Sequence, residues 1–181
     1  MKVTPTAIPE VLIVEPRVYG DERGFFYESF NARQFAEATG RHAIFVQDDH
    51  IRSARDVVRG LHYQVGVPQA KLVRAIAGAI FAVVVDLRKA SPFLGRWVAV
   101  ELSADNRRQC WIPAGFAFGS VVVSDFAECL VKSTDYWTPQ NERTILWNDP
   151  ALAIEWPLRG TAVVSAKDNL GRALADAELF A

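Results

Sequence analysis

The segment KLVRAIAGAIFAVVVDL (71–87) contains two runs rich in valine, isoleucine and other apolar residues, and a glycine lies between them. β-Branched residues favour extended backbone, and each run has the length of a typical strand. The first run covers 71–76 and the second covers 80–87, with turn-forming residues between them. The segment therefore predicts two consecutive β-strands.

The same pattern recurs along the whole chain. Eight further runs of this kind cover 11–15, 24–30, 43–49, 57–64, 97–102, 109–113, 116–123 and 128–134. Many short strands separated by Gly, Pro and Asp turns predict an antiparallel sandwich or barrel. Only two segments predict helices: 31–40, with Asn31 as N-cap and Gly40 as C-terminal stop, and 167–180 near the end of the chain. No repeat or linker divides residues 1–181, so the sequence predicts one β-rich domain.

The composition is that of a globular protein without a strong charge. The chain has 181 residues, of which half are apolar, and a formal net charge of −1. Interspersed charges of both signs argue against a nucleic acid or an anionic membrane surface as partner. No apolar run reaches membrane-spanning length, and the N-terminus has no signal-peptide core. We interpret Cys110 and Cys129, which lie in apolar stretches, as buried free thiols rather than a disulfide, which predicts a cytoplasmic protein.

One strand carries polar groups that a buried strand does not need. In RGLHYQ (59–64), His62 and Gln64 share a face, whereas Arg59 would normally point to the other face. Gly60 offers an explanation, because a glycine inside a strand often marks a bulge that changes the direction of a neighbouring side chain. A bulge here would bring Arg59 and His62 into one cavity.

Other strands would add to the same cavity. Gln47 and Asp49 share a face, and Phe116 and Phe118 form an aromatic stripe on another strand. A barrel interior with a few polar groups in an apolar wall is the usual form of a small-molecule site. Periodicity alone also allows the ordinary alternatives, in which the histidine is a hydrogen-bonded core residue and the stripe is core packing.

The sequence contains no pattern for a metal or a cofactor. Its three histidines are His42, His50 and His62, and no two of them have the H-x-H or H-x-x-x-H spacing of a metal site. No phosphate loop or dinucleotide-binding fingerprint is present. We therefore predict no metal and no cofactor.

Eight segments, in order along the chain, carry a family resemblance. They are GDERGFFYES (20–29), FVQDDH (45–50), RGLHYQ (59–64), KLVRAIAGAIFAVVVDLR (71–88), SPFLGRW (91–97), WIPAGFAFG (111–119), NERTILWNDP (141–150) and SAKD (165–168). With them the chain resembles the dTDP-4-dehydrorhamnose 3,5-epimerase family over nearly its whole length. The resemblance implies a mainly β, antiparallel jelly-roll (cupin-like) barrel with a few short helices. It also implies a homodimer in which N-terminal strands cross into the partner.

The resemblance also implies a reaction and roles for residues. His62 would remove the proton beside the ketone of a dTDP-linked 4-keto-6-deoxy sugar, with Asp168 as its carboxylate partner. Lys71 would face the carbon-4 oxygen, where negative charge develops. The positions implied to hold the nucleotide, its diphosphate or the sugar are Arg23, Glu28, Gln47, Asp49, Arg59, Phe118, Trp137, Glu142 and Lys167. The implied reaction converts dTDP-4-dehydro-6-deoxy-D-glucose to dTDP-4-dehydro-L-rhamnose.

Three positions depart from the family pattern. Phe118 stands where the family usually has a histidine, Asp49 where it has an asparagine, and Val131 where it has the tyrosine assigned as general acid. Valine and phenylalanine cannot donate a proton. Two alternatives therefore remain open: an enzyme that inverts only carbon 3 or only carbon 5, and a sugar-nucleotide-binding protein without catalysis. A 3,4-ketoisomerase would need more histidine in the cavity.

Overall fold

A computed structural model describes residues 1–181. It contains fourteen strands and two α-helices, α1 (Ala32–Thr39) and α2 (Ala166–Asn169). The strands are β1 (Lys2–Pro5), β2 (Leu12–Glu15), β3 (Tyr19–Asp21), β4 (Gly24–Phe26), β5 (Gln47–Ala54), β6 (Val57–Gln64), β7 (Lys71–Ala77), β8 (Ala79–Asp86), β9 (Trp97–Ser103), β10 (Gln109–Ile112), β11 (Phe116–Val122), β12 (Phe126–Ser133), β13 (Glu142–Thr144) and β14 (Val163–Val164).

Two six-stranded sheets make up the body of the molecule. The first has the order β1-β2-β10-β7-β12-β5, and the second has the order β13-β6-β11-β8-β9, with β14 added beside β6. All neighbours in these sheets are antiparallel except β14 and β6. Strands β3 and β4 form a separate hairpin. The predicted mainly β, antiparallel jelly-roll architecture is confirmed.

Most predicted strands agree with the structure, and the strand predicted over 57–64 coincides with β6. The prediction over 43–49 was wrong in position, because the strand is Gln47–Ala54. Phe45 precedes this strand and packs edge-on against Phe30 and Trp111. Polar residues occupy both faces of QDDHIRSA, so no apolar run marked the strand in the sequence.

The two helix predictions had different outcomes. Helix α1 is confirmed with both caps: the Asn31 side chain accepts from the backbone N–H of Gln34, and Gly40 adopts a left-handed conformation. The helix predicted over 167–180 was wrong, because α2 ends at Asn169. Beyond it the chain lies against another segment, and a Cβ on Gly171 would be 2.7 Å from the Leu146 nitrogen. Arg172 instead forms a β-bridge with Ile145, and its backbone hydrogen bonds to Thr144 and Leu146 exclude a helix there.

The largest apolar cluster contains 17 buried residues, most of which belong to strands of the two sheets. Cys110 and Cys129 belong to this cluster and are free, as predicted. Burial raises the pKa of the Cys110 thiol to about 12 and that of Cys129 to about 11. No helix has both the length and the apolar character needed to cross a membrane.

Candidate active site

A cavity of about 750 Å³ opens between the two sheets. Its volume lies within the range of small-molecule sites. One side is formed by β6 and β11, which we call the base wall, and the other by β5, β7 and β12, which we call the lysine wall. Both walls contribute apolar and polar side chains, as the strand alternation predicted.

The base wall carries a histidine–carboxylate pair. Nε2 of His62 lies 2.6 Å from Oδ1 of Asp168, and the backbone N–H of Gly60 donates to Oδ2 of the same carboxyl at 3.2 Å. Because an ionised carboxylate only accepts, Nε2 carries the hydrogen, and Nδ1 of His62 is free to accept a proton.

Asp168 is suited to remain ionised in this position. Its side chain is almost fully buried, and burial, the largest single influence, raises the pKa of its carboxyl. The hydrogen bond and charge of His62, the Gly60 N–H and the charge of Lys167 together outweigh burial, so the pKa of Asp168 lies below its ordinary value. The pair therefore contains a carboxylate that fixes and stabilises the imidazole.

A β-bulge aims both polar groups of β6 into the cavity. Phe118 pairs with His62 and Ser120 pairs with Arg59, so β6 has one more residue than β11 between these pairs. Gly60 has a φ of 110°, and a Cβ there would lie 2.6 Å from the Phe118 carbonyl oxygen. Arg59 and His62 both line the cavity, and the predicted bulge is confirmed.

The lysine wall holds a partly buried ammonium group. Nζ of Lys71 donates to Oε1 of Gln69 at 2.8 Å and to Oγ of Ser133 at 3.3 Å. Burial lowers the pKa of Lys71, and the charges of Asp49 and Glu142 partly oppose this effect. A positive charge in such a place acts strongly on nearby negative charge, because little water screens it.

Register places the inward side chains of the lysine wall in two adjacent rows. The first row contains Lys71, Ser133 and Gln47, and the second row contains Val73, Val131 and Asp49. Nε2 of Gln47 donates to both oxygens of Asp49, at 3.1 and 3.0 Å, and Oε1 of Gln47 accepts from the backbone N–H of Trp137 at 2.9 Å. The orientation of the Asp49 carboxyl is thereby fixed.

The remaining predicted positions of the cavity lie around these groups. Phe118 is adjacent to His62 on the base wall. Nζ of Lys167 donates to Oε1 of Glu142 at 2.8 Å, and both residues line the cavity. The Trp137 ring is half exposed at the mouth. Open aromatic faces of this kind are suited to stacking against a planar ring.

Comparison with known proteins agrees with this geometry. The family model described as dTDP-4-dehydrorhamnose 3,5-epimerase matches residues 5–176. The chain belongs to this family. It is 58% identical over 180 residues to the dTDP-4-dehydrorhamnose 3,5-epimerase of Pseudomonas aeruginosa, with 99% of each chain covered. The enzyme of that name from Salmonella typhimurium is 56% identical over 169 residues, covering 93% of this chain and 92% of the relative.

A solved structure extends the comparison to three dimensions. The fold superimposes with a TM-score of 0.95 on the dTDP-6-deoxy-D-glucose-3,5-epimerase of Legionella pneumophila, crystallised in complex with dTDP-4-keto-L-rhamnose. The two sequences are 48% identical, and the match covers 98% of this chain and 94% of that chain. The epimerase family and its barrel fold are therefore shown for this chain.

Two residues that the resemblance assigned to the site lie outside the cavity of their own chain. Arg23 forms an ion pair with Asp21 in the β3–β4 hairpin. Glu28 accepts from the side chains of Asn31 and Gln34 at the start of α1. Within one chain, neither residue contributes to the cavity that holds His62 and Lys71.

Sequence reasoning assigned no role to several groups that hold the site together. Gln69 and Ser133 fix the Lys71 ammonium, and Oγ of Ser53 accepts from Nε of Arg59 at 2.9 Å. Gln64 donates to the Tyr136 carbonyl and accepts from the backbone N–H of Thr138. Alternation along β6 and β12 points Gln64 and Ser133 inward, but Gln69 lies in a loop and gave no such signal.

Proposed function

We propose that the protein epimerises a dTDP-linked 4-keto-6-deoxy sugar, converting dTDP-4-dehydro-6-deoxy-D-glucose to dTDP-4-dehydro-L-rhamnose. The observation that carries this proposal is the His62–Asp168 pair facing a cavity that also holds the Lys71 ammonium. The names of the relatives support the same substrate class.

The reaction begins with proton abstraction beside the ketone. Such a proton is very weakly acidic, so the base must be held in a fixed position beside it. Nδ1 of His62 takes the proton while Asp168 holds Nε2–H and stabilises the imidazolium that forms. The electron pair of the broken C–H bond forms a double bond to carbon 4, and negative charge develops on the carbon-4 oxygen.

Lys71 stabilises that charge. Its ammonium is held by two neutral acceptors rather than by a direct ion pair, so it remains available to the enolate. Preorganised charge in a site shielded from water is usually the largest contribution to catalysis of this kind. The stabilisation makes the abstraction by a histidine feasible.

The other predicted residues would bind the nucleotide part of the substrate. The guanidinium of Arg59 can bind two diphosphate oxygens at once, and Ser53 already orients it. Trp137 offers a stacking surface for the base, while Gln47, Glu142 and Lys167 supply polar contacts near the mouth. These assignments follow the family positions and the shared lining of one cavity.

Proton NMR in deuterated water tests the proposed reaction. With dTDP-4-dehydro-6-deoxy-D-glucose, we expect deuterium at carbons 3 and 5 and a rhamno-configured product. His62→Ala should abolish exchange, whereas the matched variant His42→Ala, at an exposed position outside the cavity, should react normally. Exchange and inversion at one carbon would instead identify a single-carbon epimerase. Intact dTDP binding without exchange would identify a binding protein.

We also propose a homodimer in which the β3–β4 hairpin reaches the partner's site. Phe25 and Phe26 in this hairpin are 61% and 67% exposed, which is unusual for large apolar side chains outside an interface. Arg23 and Glu28 lie in the same segment and outside their own cavity. Light scattering of the purified protein should give twice the chain mass, and Phe25→Ser/Phe26→Ser should give the monomer. A monomeric wild-type protein would contradict the assembly.

We also propose a single domain and a cytoplasmic location. Residues 1–181 are proposed to form one domain, because the largest core cluster draws on both sheets. A cytoplasmic location fits the two free, buried thiols, since a reducing compartment keeps cysteines unpaired. We expect the purified protein to unfold in a single transition. We expect cell fractionation to recover the protein in the cytosolic fraction.

A further inference from the structure

We propose that Asp49 is the second proton-transfer group of the site and delivers a proton to the face of the sugar opposite His62. This inference rests on the proposed function, because inversion requires that a proton leave one face and arrive on the other. A single base returns the proton to the face from which it came. The lysine wall must therefore supply a donor.

The second row of the lysine wall contains only one group that can carry a proton. Val73 and Val131 occupy two of its three positions, and their side chains have no polar atom. Asp49 is the register partner of Val131 and points to the same face of the sheet. Directly paired residues in neighbouring strands have Cβ atoms about 4.5–5.5 Å apart. The Asp49 carboxyl therefore lies beside the apolar side chain of Val131.

Asp49 and His62 line the same cavity from opposite walls. The loop 136–138 contacts the inward-facing neighbour of each residue. The backbone N–H of Trp137 donates to Gln47 on β5, and the backbone N–H of Thr138 donates to Gln64 on β6. Facing sheets lie about 10 Å apart, which leaves room for a sugar ring between the two groups.

Other hydroxyl and thiol groups are less well placed. The Tyr63 ring packs edge-on against Phe180 in the other apolar cluster. Tyr27 accepts from Arg74 and does not line the cavity, and the Tyr136 side chain is 63% exposed at the mouth. Cys129 also lines the cavity, one inward position beyond Val131, but it packs among the apolar residues of the core. Asp49 is the group that combines a carboxyl able to transfer a proton with a position in the cavity wall opposite the base.

The proposed step is balanced without a further reactant. His62 takes the proton as the C–H bond breaks, and the electron pair forms the enolate that Lys71 stabilises. The Asp49 carboxylate takes up a proton from solvent and passes it to the opposite face, the new C–H bond forms from the enolate electron pair, and the ketone is restored. Asp49 is then a carboxylate again and His62 releases its proton to solvent, so the net change is the configuration alone.

Asp49→Asn is the variant that separates this role from binding. It keeps the size and the hydrogen bond with Gln47 but cannot transfer a proton in this way. Asp48→Asn is the matched control, because Asp48 is the preceding residue, is exposed, and forms an ion pair with Lys132. The double variant Asp49→Asn/Val131→Tyr supplies a different acid, a tyrosine hydroxyl, in the same row of the lysine wall.

Deuterium exchange, product configuration and the Kd for dTDP are measured for each variant. We expect Asp49→Asn to retain exchange and to lose inversion by about 10²–10⁴-fold, the usual effect of removing a positioned acid. Its Kd for dTDP should change less than about threefold, because the variant keeps the size of the side chain and its hydrogen bond with Gln47. The double variant should regain at least part of the inversion, and Asp48→Asn should behave like wild type.

The outcomes distinguish failure of this inference from failure of the proposed function. Unchanged inversion in Asp49→Asn, or a loss explained entirely by weaker dTDP binding, would overturn the role of Asp49 while leaving the epimerase intact. No exchange and no inversion by the wild-type protein would overturn both proposals.

Discussion

The two walls of the cavity are held in place in different ways. On the base wall, His62 is positioned by Asp168, a residue 106 positions later in the chain, and by a bulge at Gly60. On the lysine wall, three adjacent strands in regular register place Lys71 and Asp49 in neighbouring rows. The base wall depends on one long-range side-chain contact and one bulge, and the lysine wall depends on the repeated backbone pairing of its strands.

This difference indicates where each wall is vulnerable. A side chain held by one distant partner loses its orientation when that partner changes, even though the strand remains. A side chain held by sheet register keeps its position, so that replacing it removes only its own chemistry. Variants in the base wall should therefore test orientation, and variants in the lysine wall should test charge.

Asp168→Asn should have the largest effect of the variants below. An asparagine can donate its amide hydrogen to Nε2 of His62, which would leave the hydrogen on Nδ1 and block the base. In a comparable histidine–carboxylate pair, this change lowers kcat by about 10⁴-fold. Single-turnover kinetics with wild-type and variant protein would measure the effect. Normal turnover in Asp168→Asn would show that His62 does not need this carboxylate.

The same variant makes a prediction about stability and pH. The pKa of Asp168 is lower in the folded protein than its ordinary value, so its ionised form stabilises the fold. That contribution is complete above the ordinary aspartate pKa of about 3.9 and is lost as the pH falls through the lower folded value. Urea unfolding between neutral and acidic pH should show wild type losing stability relative to Asp168→Asn at the acidic end. A constant difference between the two proteins would contradict the assigned shift.

Lys71→Met should remove charge while leaving the wall in place. Removing one preorganised group that stabilises a developing oxyanion costs about 10²–10³-fold in kcat. Deuterium exchange should fall in parallel, because enolate formation itself becomes harder. Lys132→Met is the matched control, since Lys132 lies on the same wall but binds Asp48 on its outer side. Unchanged exchange in Lys71→Met would show that the ammonium does not contact the enolate.

Gly60→Ala should test the bulge of the base wall. The new Cβ would meet the Phe118 oxygen and the Gly119 Cα at 2.6 Å in a backbone conformation that alanine rarely adopts. Overpacking of this kind lowers the free energy of unfolding by about 1–3 kcal/mol. Gly20→Ala has only an ordinary contact at 3.5 Å and should change stability by less than about 0.5 kcal/mol. Equal urea midpoints for the two variants would show that the bulge tolerates a Cβ at position 60.

The fold could be read from the sequence where apolar and polar residues follow a strand period. Strand β6 and helix α1 were predicted closely because alternation and caps are local signals. Strand β5 was displaced in the prediction because its polar residues lie on both faces. The second predicted helix failed because Gly171 must lie against Leu146, a tertiary requirement that helical periodicity does not contain.

The candidate site was predictable only in part for the same reason. Gly60 indicated that Arg59 and His62 share a cavity, which is a local inference. The pairing of His62 with Asp168 came from family resemblance, since no spacing rule connects residues so far apart. The position of Asp49 beside Val131 required the register of two strands, which the sequence does not specify. Local patterns therefore identified the walls, and the structure identified the partners across them.

Trp137→Ala should have the smallest effect, because this residue serves the mouth that both walls share. Its backbone N–H, which orients Gln47, remains in the variant, so only the half-exposed ring is lost. Aromatic stacking contributes about 0.5–1.5 kcal/mol, which corresponds to a Kd for dTDP weakened by roughly 2–13-fold. Calorimetry with dTDP would measure this change, and Trp137→Phe should retain most of the affinity. Turnover at saturating substrate should stay near the wild-type rate, because neither the base nor the ammonium has moved. A large loss of kcat would instead mean that the ring helps to order Gln47 and Asp49, which would connect the mouth directly to the lysine wall.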